Sequence, residues 1–149
     1  MSDSQKFPVA VHALVYLAHR RAFSPQAAVS SAQLAASMPT NPVVVRRVTA
    51  MLGRAGLIES RPGASGGAWL KLPTDAIRLD AVLAAVAGCA SLGSAPPGAR
   101  GCPVGEKIPQ AVSRVLAAAA EAAADHLSRT TIADLVAEVA GATEGVHPV

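Results

Sequence analysis

The sequence predicts a mainly α-helical fold with one small β-hairpin. Three observations support this prediction. Two segments with helix-start signals, 30–38 and 41–54, are separated by only a few residues. Two short apolar runs flank a glycine-rich segment at 61–67. An alanine-rich segment at 103–127 is long enough for about seven helical turns. A chain of 149 residues is expected to form one compact domain, here with an appended helix.

The first predicted element is an amphipathic helix over 7–20. Its apolar residues recur at helical spacing and fall on one side. They are Phe7, Val11, Leu14, Val15 and Ala18. We therefore expect this side to face the core.

The segments 30–38 and 41–54 predict two helices joined by a short turn. Ser30 with Gln33 forms a capping-box pattern, and Asn41 followed by Pro42 is a strong helix start. Leu34 and Ala35 of the first helix are expected to pack on Val45 and Val48 of the second, across a turn at Pro39 and Thr40. Such a corner presents its second helix outward, as in proteins that bind the DNA major groove. An ordinary helical hairpin is the alternative.

The residues after the second helix predict a β-hairpin. Gly56 is suited to end the helix, and the apolar runs 57–60 and 68–72 alternate like strands. Between them, 61–67 is a glycine-rich turn that begins with Arg61. A hairpin in this position is a wing, whose glycines let the backbone approach phosphates while Arg61 enters a minor groove. The alternative is a hairpin that only covers the core.

The carboxy-terminal half predicts a short helix at 77–86, a flexible loop at 88–101 and a long helix at 103–127. Pro109 suggests that the long helix effectively begins near Glu106. A final short helix is expected to start at Thr130 or Thr131 and run to 139, followed by a disordered tail at 141–149. The predicted domain limits are 1–87 for DNA binding, 88–102 for a sensor loop, 103–140 for dimerisation and the terminal helix, and 141–149 for the tail.

The long helix carries a narrow apolar stripe, which predicts a homodimer. The stripe consists of Ile108, Val112, Val115, Ala119 and Ala122. Two copies joined through this stripe would present two helices to a palindromic DNA site. The alternative is that the stripe packs on its own domain.

These motifs resemble those of the Rrf2 family of bacterial winged helix-turn-helix transcriptional regulators. The resemblance rests on NPVVVRR, LGRAGLIESRPGASGGAWLKL, IRLDAVLAAVAG and CPVG, with VAVHALVYLA and RTTIADL at the two ends. It implies a winged helix-turn-helix domain with a long carboxy-terminal dimerisation helix, and sequence-specific promoter binding. In the wing, Pro62 stands where the family commonly has an arginine before the first glycine. The DNA-contacting residues that we predict are Thr40, Asn41, Val43, Val44, Arg46, Arg47, Arg61 and Ser65.

The charge distribution agrees with DNA binding. Residues 1–80 contain nine Lys and Arg against four Asp and Glu, a net charge of +5, whereas residues 81–149 contain four against six, a net charge of −2. The predicted reading helix and wing lie in the basic half, as a phosphate-binding surface requires.

The sensing chemistry is predicted to depend on Cys89 and Cys102, which flank the loop. Family members that bind an iron–sulfur cluster use three cysteines there, and this chain has two. One interpretation is a thiol switch, because Cys102 precedes the long helix and its N-terminus favours a thiolate, helped by Arg100 and Lys107. The other interpretations are a cluster held by Cys89, Cys102 and a His12 supplied by a partner subunit, or two cysteines that only pack. We predict no resident cofactor.

Enzymatic functions are not predicted. The sequence has no Ser/His/Asp arrangement, no clustered carboxylates, and no phosphate-binding glycine loop before a helix. The amino terminus lacks a secretory signal pattern, so we expect a soluble cytoplasmic protein with no membrane partner. The predicted function is a repressor that binds a palindromic operator as a homodimer and responds to thiol oxidation. The alternative function is a winged-helix module that binds other proteins.

Overall fold

The computed structural model describes residues 5–87 and 93–144. Six helices and one two-stranded antiparallel sheet make up the described part of the chain, together with single 3-10 turns at Pro25–Ala27 and Thr74–Ala76. In chain order they are α1 (Lys6–His19), α2 (Ser31–Ser37), α3 (Pro42–Arg54), β1 (Ile58–Arg61), β2 (Gly67–Leu70), α4 (Leu79–Ala87), α5 (Pro103–Leu127) and α6 (Ile132–Glu144). The predicted mainly helical fold with a small hairpin is confirmed.

The core lies where α1 meets α3, α4, α6 and β2. The predicted apolar side of α1 faces the core: Leu14 and Ala18 are buried, and Phe7, Val11 and Val15 are half-buried and pack against the core. The prediction missed Ala10, Ala13 and Leu17, which are also buried. Since several elements surround α1, its buried surface is wider than the predicted stripe.

The end of α3 and the start of the hairpin form one continuous motif. Gly56 adopts a φ of 75°, its N–H donates to Gly53 at 3.0 Å, and the N–H of Leu57 donates to Leu52 at 3.1 Å. This pair of bonds is a Schellman motif, which satisfies the last carbonyls of the helix. Because Leu57 completes the helix cap, β1 starts at Ile58, one residue later than predicted.

The sheet pairs Ile58 with Leu70 and Arg61 with Gly67 at its two ends. The chain before α2 lies along the free edge of β2. Val29 and Ala68 exchange backbone hydrogen bonds of 2.9 and 2.8 Å, and Leu70 donates to Ala22 at 2.8 Å. The hairpin is therefore attached to the helical body on one side and projects from it at the turn.

The limits of α4 and α6 differ from those predicted. α4 starts at Leu79, not at Ile77, because residues 77–79 pair with the residues before α6: Leu79 donates to Thr130 at 3.0 Å, and Ile132 donates to Ile77 at 2.9 Å. Ile132 is fully buried in the core. α6 continues to Glu144, so the predicted tail is wrong for residues 141–144, whereas 145–149 lie outside the described residues.

α5 has the predicted limits, 103–127, so the expected effective start near Glu106 is wrong. Pro103 occupies the first helical position, where its missing N–H has no consequence. Pro109 lies inside the helix and donates no hydrogen bond to the carbonyl of Gly105. Gly98 packs against that carbonyl, and a Cβ at Gly98 would overlap it. The loop before α5 therefore lies across the first turn of the helix. Among the described residues, no helix is both long and apolar enough to cross a membrane.

Candidate nucleic-acid interface

Two capped helices, α2 and α3, set the geometry of the predicted helix-turn-helix. The Ser30 hydroxyl accepts a hydrogen bond from the N–H of Gln33 at 3.2 Å, and the Gln33 side chain accepts from the N–H of Ser30 at 2.9 Å. This is the predicted capping box. Leu34 is buried together with Val45 and Val48, which confirms the predicted contact between α2 and α3.

The start of α3 is fixed by Asn41. Its Oδ1 accepts from the N–H of Val43 at 2.9 Å, and Pro42 occupies the first turn. The side-chain NH₂ of Asn41 takes no part in the cap, because only the side-chain oxygen accepts from the helix. Thr40, half-buried, precedes the cap and donates its N–H to Met38 at 2.7 Å.

The burial of one face of α3 determines which residues point outward. Val45, Val48 and Leu52 are each fully buried. The opposite, exposed face carries Val43, Arg46, Arg47, Ala50 and Arg54. Val44, which we predicted to face DNA, is half-buried and packs against the core.

The wing tip depends on its glycines. Gly63 has a φ of 103°, and the N–H of Gly66 donates to Gly63 at 3.0 Å to close the turn. A Cβ at Gly66 would overlap the carbonyl of Arg61. Arg61 and Ser65 are both exposed here, at the end of β1 and in the turn. The predicted residues of the reading helix and the wing therefore lie on neighbouring elements.

A concave region of about 310 Å³ separates the wing from the helices. Arg46 and Arg61 line it from opposite sides, with Thr49 and Ser60 between them. A second concave region adjoins it and brings in Arg54 and Lys71. Sequence reasoning missed these two cations, although Arg54 follows Arg47 by seven residues and so shares its side of the helix.

The outward arginines are not neutralised by acidic partners. Within residues 5–87 and 93–144, no ion pair involves Arg46, Arg47, Arg54 or Arg61. Their charges are available to an external anion, and four such charges near one another are suited to a polyanion.

Cys102 is exposed and caps α5. Its Sγ accepts a hydrogen bond from the N–H of Gly105 at 3.3 Å, and the Glu106 carboxylate accepts from the N–H of Gly101 at 2.8 Å. The predicted partner Cys89 lies outside the described residues.

The described donors do not assemble a cluster site within one chain. His12 lies on α1, where its Nε2 is 3.1 Å from the Ser37 hydroxyl of α2. Across the part of the chain that the structure describes, no group of three or more His, Cys, Asp or Glu side chains could hold a metal ion.

The sequence profile of the Rrf2 family, described as an iron-dependent transcriptional regulator, matches residues 3–138. The chain belongs to the Rrf2 family. The family's proteins are transcriptional regulators, so this protein is a transcriptional regulator and not an enzyme. It is 35% identical over 109 residues to YwnA of Bacillus subtilis strain 168, which carries the name HTH-type transcriptional regulator; the match covers 72% of this chain and 80% of YwnA.

Two solved structures of regulators share the fold. One, from Lactobacillus plantarum, superposes with a TM-score of 0.73 at 27% identity and covers 90% of this chain and 89% of its own. The other is CymR, the global cysteine regulator of B. subtilis, with a TM-score of 0.63 at 20% identity and coverage of 89% and 94%. The predicted winged helix-turn-helix fold of this family member is confirmed.

Asn41 offers a way to separate folding from recognition. Asn41→Ala should reduce the free energy of unfolding by about 1 kcal/mol, because the cap is lost. Asn41→Asp keeps the capping oxygen and should stay within about 0.5 kcal/mol of the parent, since a carboxylate is favourable at a helix N-terminus. Urea denaturation followed by circular dichroism measures both. The aspartate variant should nevertheless bind DNA more weakly; unchanged binding would place Asn41 outside the interface.

Proposed function

We propose that this Rrf2-family regulator binds double-stranded DNA with α3 in the major groove and the β1–β2 wing in the adjacent minor groove. The observation that carries the proposal is the exposed face of α3, where Arg46, Arg47 and Arg54 form no ion pair with any described residue and stand next to Arg61 of the wing. An α-helix has a width that the major groove accepts, and the exposed face of α3 carries the positive charge that phosphates attract. DNA binding also places the protein in the cytoplasm, where bacterial DNA lies.

The outward residues of α3 divide into two groups in this proposal. Arg47 and Val43 lie away from the wing and face base edges, where arginine binds guanine and an apolar side chain contacts the thymine methyl. Thr40 and Asn41 lie at the start of α3, where they contact the sugar–phosphate backbone of the DNA. Arg61 and Ser65 are the residues through which the wing contacts DNA. Val44 contributes mainly by its packing in the core.

We further propose that the protein acts as a homodimer joined through α5. Along α5, all of which the structure describes, no side chain is fully buried. Val104 is 67% exposed and Val115 is 62% exposed, on a helix of 25 residues, about 37 Å long. An apolar stripe of this length is stabilised when a second copy covers it. A symmetric pair would bind a palindromic operator and, by covering a promoter, repress it.

For the signal, we propose oxidation of Cys102. The sulfur is exposed, so a peroxide can reach it, and it accepts the Gly105 N–H at the start of α5. The thiolate attacks one oxygen of a peroxide, the O–O bond breaks and hydroxide leaves, giving a sulfenic acid. The Cys89 thiolate then attacks that sulfur, and the hydroxyl leaves as water to give a disulfide. Either product alters the sulfur that caps α5.

The α3 assignment is tested by Arg47→Ala and Arg46→Ala. Loss of the Arg47 base contact should weaken binding to a duplex selected by the protein by about 1–3 kcal/mol, with little change for random DNA. Loss of an Arg46 phosphate contact should instead weaken binding to both duplexes. Fluorescence anisotropy with the selected and the random duplex measures this. Arg129→Ala is the matched control, because Arg129 is exposed at the end of α5 and paired with Asp125. Parent-like binding by both variants would refute the assignment of α3 and favour a protein partner.

The dimer is tested by Val115→Glu. A carboxylate within the apolar stripe is unfavourable when the stripe is covered, so the variant should be a monomer with weakened operator binding. Ala117→Glu adds the same charge to the opposite side of α5 and should leave the dimer intact. Sedimentation measures the mass of each variant, and circular dichroism its folding. A dimer of parent affinity for Val115→Glu would show that the stripe is not the interface.

The switch is tested by Cys102→Ser. The parent should leave its operator after treatment with dilute peroxide and return to it after reduction, whereas Cys102→Ser should bind DNA in both conditions. Cys89→Ser should stop at the sulfenic acid, which mass spectrometry detects after dimedone labelling. DNA binding by the parent that ignores peroxide would exclude thiol control.

A further inference from the structure

The two concave regions beside α3 adjoin each other, and we name them together the helix–wing groove. Both regions are lined by Thr49, Ser60, Arg61 and Pro62, so they share a floor. One wall is the outward-facing side of α3. The other wall is the outer face of the hairpin, where alternation along the strands places Glu59, Arg61, Trp69 and Lys71 on the same side.

The charges of the helix–wing groove are arranged along its length. Arg46 and Arg61 line the first region, and Arg54 and Lys71 line the second. Arg46 and Arg54 are eight residues apart on α3, or about 12 Å. Four cations against one carboxylate, Glu59, leave the groove strongly positive. A positive channel with cations at both ends fits a linear polyanion.

Gly53 leaves part of the α3 wall of the groove without a side chain. It lies within α3 and lines the groove, and a Cβ added there would meet nothing within 4 Å. Glycine weakens a helix relative to alanine, and no neighbour in the described chain requires its small size. Ala50, one turn earlier on the same wall, is also small. The wall is therefore open to close approach by another molecule.

We propose that the helix–wing groove seats the sugar–phosphate backbone of one DNA strand, with Arg46 and Arg61 binding phosphates at one end and Arg54 and Lys71 at the other. This inference rests on the proposed function, because a helix in the major groove and a wing in the adjacent minor groove must have one backbone strand between them. Thr49 and Ser60 on the floor supply hydroxyls to phosphate oxygens. Arg54 and Lys71 thereby become positioning residues for DNA.

Glu59 offsets part of the positive charge of this groove. Its Oε2 accepts a hydrogen bond from the Trp69 indole at 3.2 Å, and its Oε1 lies 3.9 Å from the Lys71 ammonium. The carboxylate thus offsets Lys71 and repels phosphate, which lowers affinity for DNA of any sequence. Glu59→Gln keeps an oxygen for Trp69 and removes the charge.

The experiment compares variants on a random-sequence duplex and on a duplex selected by the parent, at several salt concentrations. Arg54→Ala should weaken binding to both duplexes by a similar factor, about tenfold, and reduce the salt slope by about 0.9. Gly53→Leu should weaken both while the protein remains folded, because the space is open within the chain. Glu59→Gln should strengthen binding to the random duplex. Arg129→Ala is again the control.

The outcomes separate the groove from the function on which it rests. A parent protein that binds neither duplex would refute both. If the parent binds, but Arg54→Ala and Gly53→Leu leave affinity and salt slope unchanged, the groove is overturned while DNA binding stands. If Arg54→Ala weakens only the selected duplex and keeps the salt slope, Arg54 contacts a base edge and the backbone assignment is wrong.

Discussion

The burial of one face of α3 is the constraint on which the rest of the structure depends. Val45, Val48 and Leu52 lie in the core with α1 and α4, and this fixes the rotation of the helix about its own axis. Every outward residue then follows from the helical repeat of 3.6 residues. A rotation of one position would bring an arginine to the core and would expose a valine, which is unfavourable on both sides.

The position of the wing follows from the same helix. The Schellman motif at Gly56 turns the chain directly from α3 into β1, with no intervening linker. The free edge of β2 is held by Val29 and Ala22, so the sheet is attached to the helical body along this edge and through the start of β1. The angle between the wing and α3 is therefore set by packing and backbone hydrogen bonds, and the channel between them is part of the fold.

The sequence predicted the elements best where local chemistry determines them. Ser30, Asn41 and Gly56 each satisfy the backbone groups of their own helix end, so their roles are visible without a structure. The predicted start of α4 was wrong, because residues 77–79 pair with residues 130–132, which lie about 50 residues away in the sequence. Arg54 and Lys71 were missed for a similar reason, because they meet only through the angle between helix and hairpin.

The attachment of Ile132 to the core has a mechanical consequence. α5 contacts α4, and directly after α5 the chain returns to the reading domain through Thr130 and Ile132. The carboxy-terminal end of the long helix is therefore fixed on the reading domain, where Leu127 also packs against the core. In the proposed dimer, the separation of the two reading helices is then set by the protein. DNA sites whose half-sites are moved apart by a few base pairs would face those helices on the wrong side of the duplex, and stretching could not bring them into register.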